Sequence, residues 1–537
     1  MGAKGVVKFW RLWRRRARVW GRDEALKLAV LAVPLGFAGA YAAIAIRKMI
    51  ELVTDFWVQA PEWDQAIGAT PWWVYLAAPT LAGVVIGWIM HRVMPAGGLR
   101  GVPGVIADVL ERAARIDRRQ WITDGVAAPL AIGSGVSLGR EGPTVAIGAA
   151  LASELARWFR FAEAEARILV GCGVAAGIAA SFNTPIAGVL FAVEVILHDF
   201  AIATFTPIVI SAVIATIISR AVIGDFPAFM VPEYHLISAG EMLVYLAIGL
   251  ASGLVAAAWI RMLGDLRVKA AKLAPDVRVR APLAGLCVGI IGIVLPQAVS
   301  IGYGVVEQMM LEELDPQIFG WQVPLVAFLG LLLAMKFAAT VISVAGGLPG
   351  GLLGPSLFLG ATIGAAIGAA AHAAAPLWTE SYGAYALVGC AALTGAAMHA
   401  PLTTMLMVFE MTADYHIMLP LMLATVVATL VARRLSRASV FTEALIARGI
   451  ETEGGVERAW LRAVSVRRIP WRSLPTVAED APLEEVKEVY VRSGKGVVGV
   501  LDGEGKLVGI VTFSDLQPHL LDKGENQGLS AADICNR

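Results

Sequence analysis

The sequence contains 537 residues with a formal net charge of +1; 57% of the residues are hydrophobic and only 16% are charged. This composition is too apolar for an ordinary soluble domain and predicts an all-α polytopic membrane protein embedded in a lipid bilayer. The near-zero net charge argues against binding of nucleic acid through bulk electrostatic attraction. The four cysteines lie far apart in the chain, so neither a disulfide nor a metal site is expected.

Basic residues flank the apolar part of the chain at both ends. They are Lys8, Arg11, Arg14, Arg15, Arg16, Arg18 and Arg22 before the first apolar run, and Arg433, Arg434 and Arg437 after the last. Because cytoplasmic segments of membrane proteins are enriched in Lys and Arg, both termini are predicted to be cytoplasmic. A targeting peptide is the alternative for residues 1–24, but no short apolar core with a small-residue cleavage site follows them.

Seven apolar runs are close to the length that crosses the hydrocarbon core of a bilayer, and several others are shorter. The seven runs are residues 28–46, 74–90, 201–218, 242–260, 281–299, 323–341 and 417–432. We place the membrane domain at residues 25–450.

Two stretches of this domain match each other. Gly-Arg-Glu-Gly-Pro at 139–143 is followed by Pro185 and Glu194, and Gly-Leu-Leu-Gly-Pro at 351–355 is followed by Pro401 and Glu410. Each glutamate lies nine residues after its proline, and the intervals between the two prolines of each copy are 42 and 46 residues. These spacings predict an internal duplication, with repeats at about 25–222 and 240–450. Transporters built from repeats place the substrate where the repeats meet.

The repeated elements combine a glycine-rich turn with a proline, a pattern typical of a helix that begins with proline at its first position. Such starts are predicted at Pro103, Pro143, Pro185, Pro355 and Pro401. A helix start has backbone amides without intrahelical partners and the positive end of the helix dipole. Several starts aimed at one point therefore predict an anion site. The alternative is that these glycines only allow close helix packing.

Glu141 lies at one of these predicted starts. A carboxylate there can occupy the anion site itself, and protonation would neutralise and release it. Because ionisable residues in membrane-buried segments usually have a function, we predict that Glu141 is the gate of an anion pathway. The alternative is a glutamate that only caps its helix.

Charged residues become frequent after residue 450, and no further run of membrane length follows. Residues 451–537 are therefore predicted to form a small cytoplasmic α/β segment. Its predicted elements are a helix at 482–492, strands at 496–501 and 506–512, and a turn at 502–505.

From about residue 26 to residue 449 the sequence resembles the CLC family of chloride channels and chloride/proton antiporters. Residues 139–143 match the family's Gly-Arg/Lys-Glu-Gly-Pro signature, and residues 101–103 match the end of Gly-Ser-Gly-Ile-Pro. Residues 351–355 are similar to Gly-x-Phe-x-Pro, with Leu353 in place of the aromatic residue. The resemblance implies an inverted repeat of tilted and broken helices. It also implies a homodimer with a separate pathway in each subunit, and Glu141 as the gate for small inorganic anions.

The resemblance further implies that backbone amides line the anion sites. The residues concerned are Arg140, Glu141, Gly142, Leu352, Leu353 and Gly354, with Gly101 at the third helix start. Arg100 stands where most relatives have an anion-coordinating serine. Its planar guanidinium suits oxyanions such as bicarbonate or nitrate, so Arg100 either shifts selectivity or points out of the pathway. Phe441 stands where the family usually has a tyrosine, and it cannot donate that hydrogen bond. Its ring can still close the inner mouth sterically, so Phe441 is a pore candidate.

Val195 follows Glu194, at the position where many antiporters of the family have a second glutamate that passes protons to the cytoplasm. The missing carboxylate favours a passive channel, while proton-coupled antiport stays open as the alternative. For Glu194 and Glu410 we expect structural hydrogen bonds near a subunit or repeat boundary. No catalytic motif such as His-Glu-x-x-His is present, so an enzyme is not expected.

The C-terminal segment resembles a CBS domain, including a Thr-x-x-Asp ending at Thr512 and Asp515. In such domains this ending often contacts the ribose of an adenine nucleotide, so a nucleotide at Asp515 is the one candidate cofactor. CBS domains work in pairs, and residues 529–537 resemble the opening of an incomplete second one.

Overall fold

The computed structural model describes residues 24–94, 98–224, 229, 238, 240–412, 414–450, 473–519 and 528–536. The basic N-terminal cluster therefore lies outside the described residues, as do residues 451–472 after the predicted membrane domain. The chain divides into two compact units, Met1–Leu461 and Arg462–Arg537.

The first half of the larger unit consists of helices of very different lengths. In chain order they are α1 (Glu24–Val58), α2 (Trp72–Val93), α3 (Gly101–Glu111), α4 (Gln120–Ile122), α5 (Ala128–Gly133), α6 (Glu141–Phe159), α7 (Glu163–Phe182), α8 (Pro185–Leu190) and α9 (Ile202–Ile223). Two π-helical segments extend the short helices: Thr123–Ala127 joins α4 to α5, and Phe191–Leu197 continues α8.

The second half has a similar mixture of long and short helices. They are α10 (Glu241–Leu273), α11 (Val277–Val294), α12 (Tyr303–Leu311), α13 (Leu325–Ala345), α14 (Leu353–Ala374), α15 (Tyr382–Met398), α16 (Pro401–Thr412), α17 (Met418–Leu435) and α18 (Glu443–Ile446). A short antiparallel pair, β1 (Gln317–Ile318) and β2 (Trp321–Gln322), lies between α12 and α13.

Nine of the described helices are long and apolar enough to span a bilayer, and seven of them coincide with the predicted runs. The run at 281–299 was predicted too long, because α11 ends at Val294. The other two helices are α7 and α14, whose most apolar windows are 78% and 56% buried inside the protein. Both are rich in Gly and Ala, and helices that pack mainly against protein need less hydropathy than helices that face lipid.

The two halves repeat one close helix crossing. A Cβ atom on Gly148 of α6 would lie 2.2 Å from the carbonyl oxygen of Gly173 in α7. In the second half, a Cβ on Gly360 of α14 would lie 2.2 Å from the carbonyl oxygen of Gly389 in α15. These glycines therefore do allow close packing, in addition to the helix starts described next.

Three of the five predicted helix starts differ from the structure by two residues. Helices α3, α6 and α14 begin two residues before Pro103, Pro143 and Pro355, so each proline is the third helical residue. Pro185 and Pro401 are first residues, as predicted. A proline at the third position removes no helical hydrogen bond, because the first four N–H groups have no intrahelical acceptor. Because each helix begins two residues before its proline, the backbone amides of those two residues are available to an acceptor outside the helix.

The smaller unit contains a three-stranded sheet of order β3-β4-β5: β3 (Thr476–Ala478), β4 (Val497–Leu501) and β5 (Leu507–Thr512). Strands β3 and β4 are parallel, and β4 and β5 are antiparallel. Helices α19 (Leu483–Ser493), α20 (Phe513–Leu516) and α21 (Ala531–Ile534), with a 3₁₀ turn at Gln517–His519, complete the described part. The predicted helix and both predicted strands are present within one residue, and β3 was missed because it is only three residues long.

Candidate anion site

The glycine-rich turns of the two halves pair with each other. Gly139 donates its N–H to the Gly351 carbonyl oxygen at 2.8 Å, and Gly351 donates to the Gly139 carbonyl oxygen at 2.7 Å. A Cβ atom on Gly142 would lie 3.0 Å from the Gly351 Cα. Glycine therefore allows the starts of α6 and α14, which are distant in sequence, to meet at one point.

The Glu141 carboxylate crosses from α6 to the start of α14. Its Oε1 accepts hydrogen bonds from the Leu353 N–H at 2.6 Å and the Gly354 N–H at 3.4 Å. The side chain is 0% exposed, and Oε2 has no hydrogen-bond partner among the described residues. The carboxylate thus occupies the position in which two free amides would hold a small anion.

Arg140 and Leu352 precede these two helices as N-cap residues, and neither side chain caps its helix. The Arg140 guanidinium turns away from Glu141. It donates to the Ser181 carbonyl oxygen at 3.1 Å and lies 5.4 Å from the centre of the Tyr303 ring. Arg140 lines two cavities together with Arg47.

The start of α3 lies beside the same point. Gly101 is its first residue with a φ of +59°, and a Cβ on Gly101 would lie 3.7 Å from the Gly142 Cα. The buried Asp124 carboxylate lies beside Gly101, with Oδ1 3.9 Å from the position of a Cβ on Gly101, and accepts the Thr123 hydroxyl at 3.1 Å. Sequence reasoning missed Asp124, although one aspartate within an apolar stretch was a usable signal.

Arg100 and Phe441 line one cavity together with Glu141, and Arg267 and Arg448 lie on its wall. We call this cavity the basic cavity. The Arg100 Nη1 donates to the Gly347 carbonyl oxygen at 3.0 Å and contacts the Met90 sulfur at 3.1 Å. The guanidinium therefore lies at the basic cavity, where it bonds to Gly347 and Met90 and not to Glu141.

Glu194 and Glu410 bind the starts of helices in the opposite half. Glu410 accepts from the Ile186 and Ala187 amides of α8 at 3.0 and 2.8 Å. Glu194 accepts from the Leu402 and Thr403 amides of α16 at 3.4 and 2.7 Å, and from the Thr403 hydroxyl at 2.6 Å. This arrangement agrees with the expected structural hydrogen bonds at the repeat boundary.

A family model described as voltage gated chloride channel matches residues 82–433, and a model described as CBS domain matches residues 466–522. The chain belongs to the CLC family. It is 35% identical over 431 residues to a putative chloride channel protein ClcB-like from Ralstonia nicotianae, covering 78% of this chain and 96% of the relative. It is 29% identical to the H(+)/Cl(-) exchange transporter ClcA of Vibrio campbellii, covering 78% and 88%.

The CLC fold is also found among solved structures. A slow cyanobacterial Cl⁻/H⁺ antiporter matches with a TM-score of 0.66 at 24% identity, covering 80% of this chain and 99% of that chain. Together with the predominantly helical unit and the small C-terminal sheet, this likeness confirms the predicted fold class.

Two departures from the CLC pattern have clear positions in the structure. Phe441 is 2% exposed and packs edge-on against Phe191, with ring centroids 6.1 Å apart. Val195 is 5% exposed within the π-helical segment after α8 and is not on the wall of the basic cavity. Phe441 therefore lines the basic cavity with an apolar ring, whereas Val195 is a packed core residue.

In the CBS unit of this CLC chain, Asp515 is used to cap α20. Its Oδ2 accepts the Thr512 N–H at 2.8 Å and the Thr512 hydroxyl at 2.7 Å. These two hydrogen bonds hold the pKa of the Asp515 carboxyl below its ordinary value. Ser530 and Asp533 repeat the same capping arrangement at α21.

Proposed function

We propose that this chain transports small inorganic anions across a bilayer through a pathway that Glu141 opens and closes. The supporting observation is the hydrogen bond from the Leu353 N–H to Glu141 Oε1, at 2.6 Å. A carboxylate held there occupies the donors that an anion would use. Because amides carry only partial charges, they bind an anion weakly enough to release it. Chloride is the first substrate to test, since the relatives are named for it.

Protonation of Glu141 provides the opening step. A neutral carboxyl loses its attraction to the positive end of α14 and leaves the site. An anion from the basic cavity then takes its place at the Leu353 and Gly354 amides. Transport in this scheme increases as the pH falls, because a larger fraction of Glu141 is protonated.

The experiment is chloride flux from liposomes that contain the purified chain, measured between pH 4.5 and 7.5. We expect flux to rise toward low pH in the parent and to be high and independent of pH in Glu141→Gln. The matched control is Glu154→Gln on the same helix, where Glu154 is paired with Arg118 and Arg157 at the surface. Equal pH dependence in Glu141→Gln and the parent would contradict the proposal.

Proton-coupled antiport is the second candidate, and the relatives named as chloride/proton exchangers favour it. Val195 favours uncoupled conduction, because it provides no carboxylate on the inward side. Proton movement into liposomes driven only by a chloride gradient decides between them: antiport produces it, and a channel does not.

Arg100 gives a third test, of selectivity. Its guanidinium at the wall of the basic cavity supports a preference for bicarbonate or nitrate over chloride. If Arg100→Ser leaves the relative fluxes of chloride, nitrate and bicarbonate unchanged, Arg100 has no role in selectivity.

We also infer that the termini are cytoplasmic and that the chain forms a homodimer. The exposed Arg433 and Arg434 in the last turn of α17 support the first inference. The exposed apolar residues Ile186, Leu402 and Leu419, on α8, α16 and α17, support the second. Protease protection of terminal tags in intact cells and the mass of the detergent complex test them. Nucleotide binding at Asp515 stays a prediction, to be tested by titration with ATP and AMP.

A further inference from the structure

The Tyr303 hydroxyl is a buried polar atom without a hydrogen-bond partner in the part of the chain that the structure describes. Tyr303 is the first residue of α12 and follows Gly302, whose φ is +84°. Its ring packs edge-on against Phe182 and Phe229, at 6.2 and 5.9 Å between centroids, and lies under the Arg140 guanidinium. The ring is therefore packed between two aromatic rings and a guanidinium.

The loop before Tyr303 is held by a buried lysine. Lys336 is 0% exposed, and its ammonium group donates to the carbonyl oxygens of Ser300 and Ile301 at 2.7 and 3.1 Å. The same group lies 4.5 Å from the centre of the Phe358 ring in α14. Lys336 therefore couples the position of Tyr303 to α14, the helix whose start binds Glu141.

The hydroxyl lies at the start of α14. It is 3.2 Å from the position that a Cβ on Gly354 would occupy, and the Gly354 N–H points at Glu141. Glu141 Oε2 also lacks a partner among the described residues. The start of α14 is therefore next to a buried donor, the Tyr303 hydroxyl, and a buried acceptor, Glu141 Oε2. Neither has a partner among the described residues.

Tyr303 and Phe441 lie on different sides of this site. Tyr303 and Arg140 line the two cavities that contain Arg47, whereas Glu141 and Phe441 line the basic cavity. A donor from Tyr303 would therefore reach an anion at the Gly354 amide from the side opposite Phe441.

We propose that Tyr303 donates its hydroxyl hydrogen to the small anion that replaces the Glu141 carboxylate at the start of α14. This inference rests on the proposed function and adds a specificity-determining residue to it. The site then has a side-chain hydroxyl, which neither Arg100 nor Phe441 provides. Because a buried donor without a partner is unfavourable, the hydroxyl stabilises the anion-bound state relative to the state occupied by Glu141.

The test is calorimetric titration of chloride into the purified Glu141→Gln chain, with and without Tyr303→Phe. Removing one hydrogen bond to a charged group should weaken chloride binding roughly tenfold. The matched control is Tyr75→Phe, which removes another buried tyrosine hydroxyl from α2, in the cluster around Trp63. The control should bind chloride like the Glu141→Gln parent.

A second measurement excludes a purely structural effect of the same change. In the chain with Glu141 intact, Tyr303→Phe should raise the chloride concentration for half-maximal flux about tenfold and leave the maximal flux unchanged. Equal chloride affinity in Tyr303→Phe and its parent would overturn this inference alone. Absence of chloride binding in the Glu141→Gln chain itself would overturn the proposed function and this inference together.

Discussion

Glu141 and the pair Glu194 and Glu410 use the same contact in two different ways. All three carboxylates bind backbone amides at a helix start in the opposite half of the membrane unit. Glu194 has three donors, one of them a hydroxyl, and Glu410 has a separate amide for each oxygen. Glu141 has one short and one long hydrogen bond to a single oxygen, and its other oxygen is unpaired among the described residues.

The difference indicates how one arrangement can hold a fold together at one place and move at another. A carboxylate with both oxygens satisfied is lost only at a large cost, because its donors are then left without partners. A carboxylate with one oxygen satisfied, beside a cavity, can be replaced by a small anion at those donors. The number of donors and the access to a cavity therefore separate the proposed gate from the structural contacts.

The largest expected effect comes from Gly351→Ala. The added Cβ would lie 2.1 Å from Glu141 Oε1 and 2.7 Å from the Gly142 nitrogen. Because backbone at this distance has to shift, we expect the free energy of unfolding to fall by about 3 kcal/mol, measured by denaturant titration in detergent. The control is Gly330→Ala in α13, where a Cβ meets nothing within 4 Å. Similar stability of the two variants would contradict the close pairing of the turns.

Glu194→Gln and Glu410→Gln separate the structural contacts from the gate. Each change removes a charge from a helix start, and we expect the free energy of unfolding to fall by about 2 kcal/mol. The pH dependence of chloride flux should stay as in the parent, because neither side chain lies on the wall of the basic cavity. A loss of pH dependence in either variant would remove the distinction between these residues and Glu141.

Thr403→Val tests one donor within this comparison. The hydroxyl donates to Glu194 Oε2 at 2.6 Å while the Thr403 amide donates to the same oxygen. Because the amide remains, the expected loss is about 1 kcal/mol in the free energy of unfolding. Thr412→Val on the same helix is the control, since its hydroxyl bonds only to backbone carbonyls. Equal losses of unfolding free energy in the two variants would mean that the hydrogen bond to Glu194 stabilises the fold no more than a bond to a backbone carbonyl.

The smallest effect is expected at Asp515, a carboxylate at an exposed helix start. Its folded pKa lies below the unfolded value because of the hydrogen bonds from Thr512. The stabilisation is therefore present above the ordinary aspartate pKa, and it is lost as the pH falls through the lowered value. In the parent, the protection of residues 507–516 from hydrogen exchange, corrected for intrinsic rates, should therefore fall at acid pH. Asp515→Ala should abolish this acid sensitivity. If the acid sensitivity is unchanged in this variant, another titrating group causes it.

The sequence by itself determined the membrane class, the CLC resemblance, the duplicated motifs, and the longest helix and two longest strands of the CBS unit. These features depend on local composition and on short patterns such as residues 139–143. The resemblance to the CLC family also implied one set of amides at the anion sites, those of Arg140, Glu141, Gly142, Leu352, Leu353 and Gly354. The same patterns place the starts of α3, α6 and α14 two residues late, because proline is typical of the first helical position and is here the third helical residue.

Only the tertiary structure decided which groups meet. Glu141 and Leu353 are 212 residues apart, and Glu194 and Thr403 are 209 residues apart. No local pattern encodes which helix start receives which carboxylate, because that depends on the packing of one half of the unit against the other. The same packing brought Asp124 to the start of α3 and Tyr303 to the start of α14. The motif at residues 139–143 therefore identifies Glu141 as the residue to test, whereas only the fold shows which groups donate to Glu141 and lie next to it.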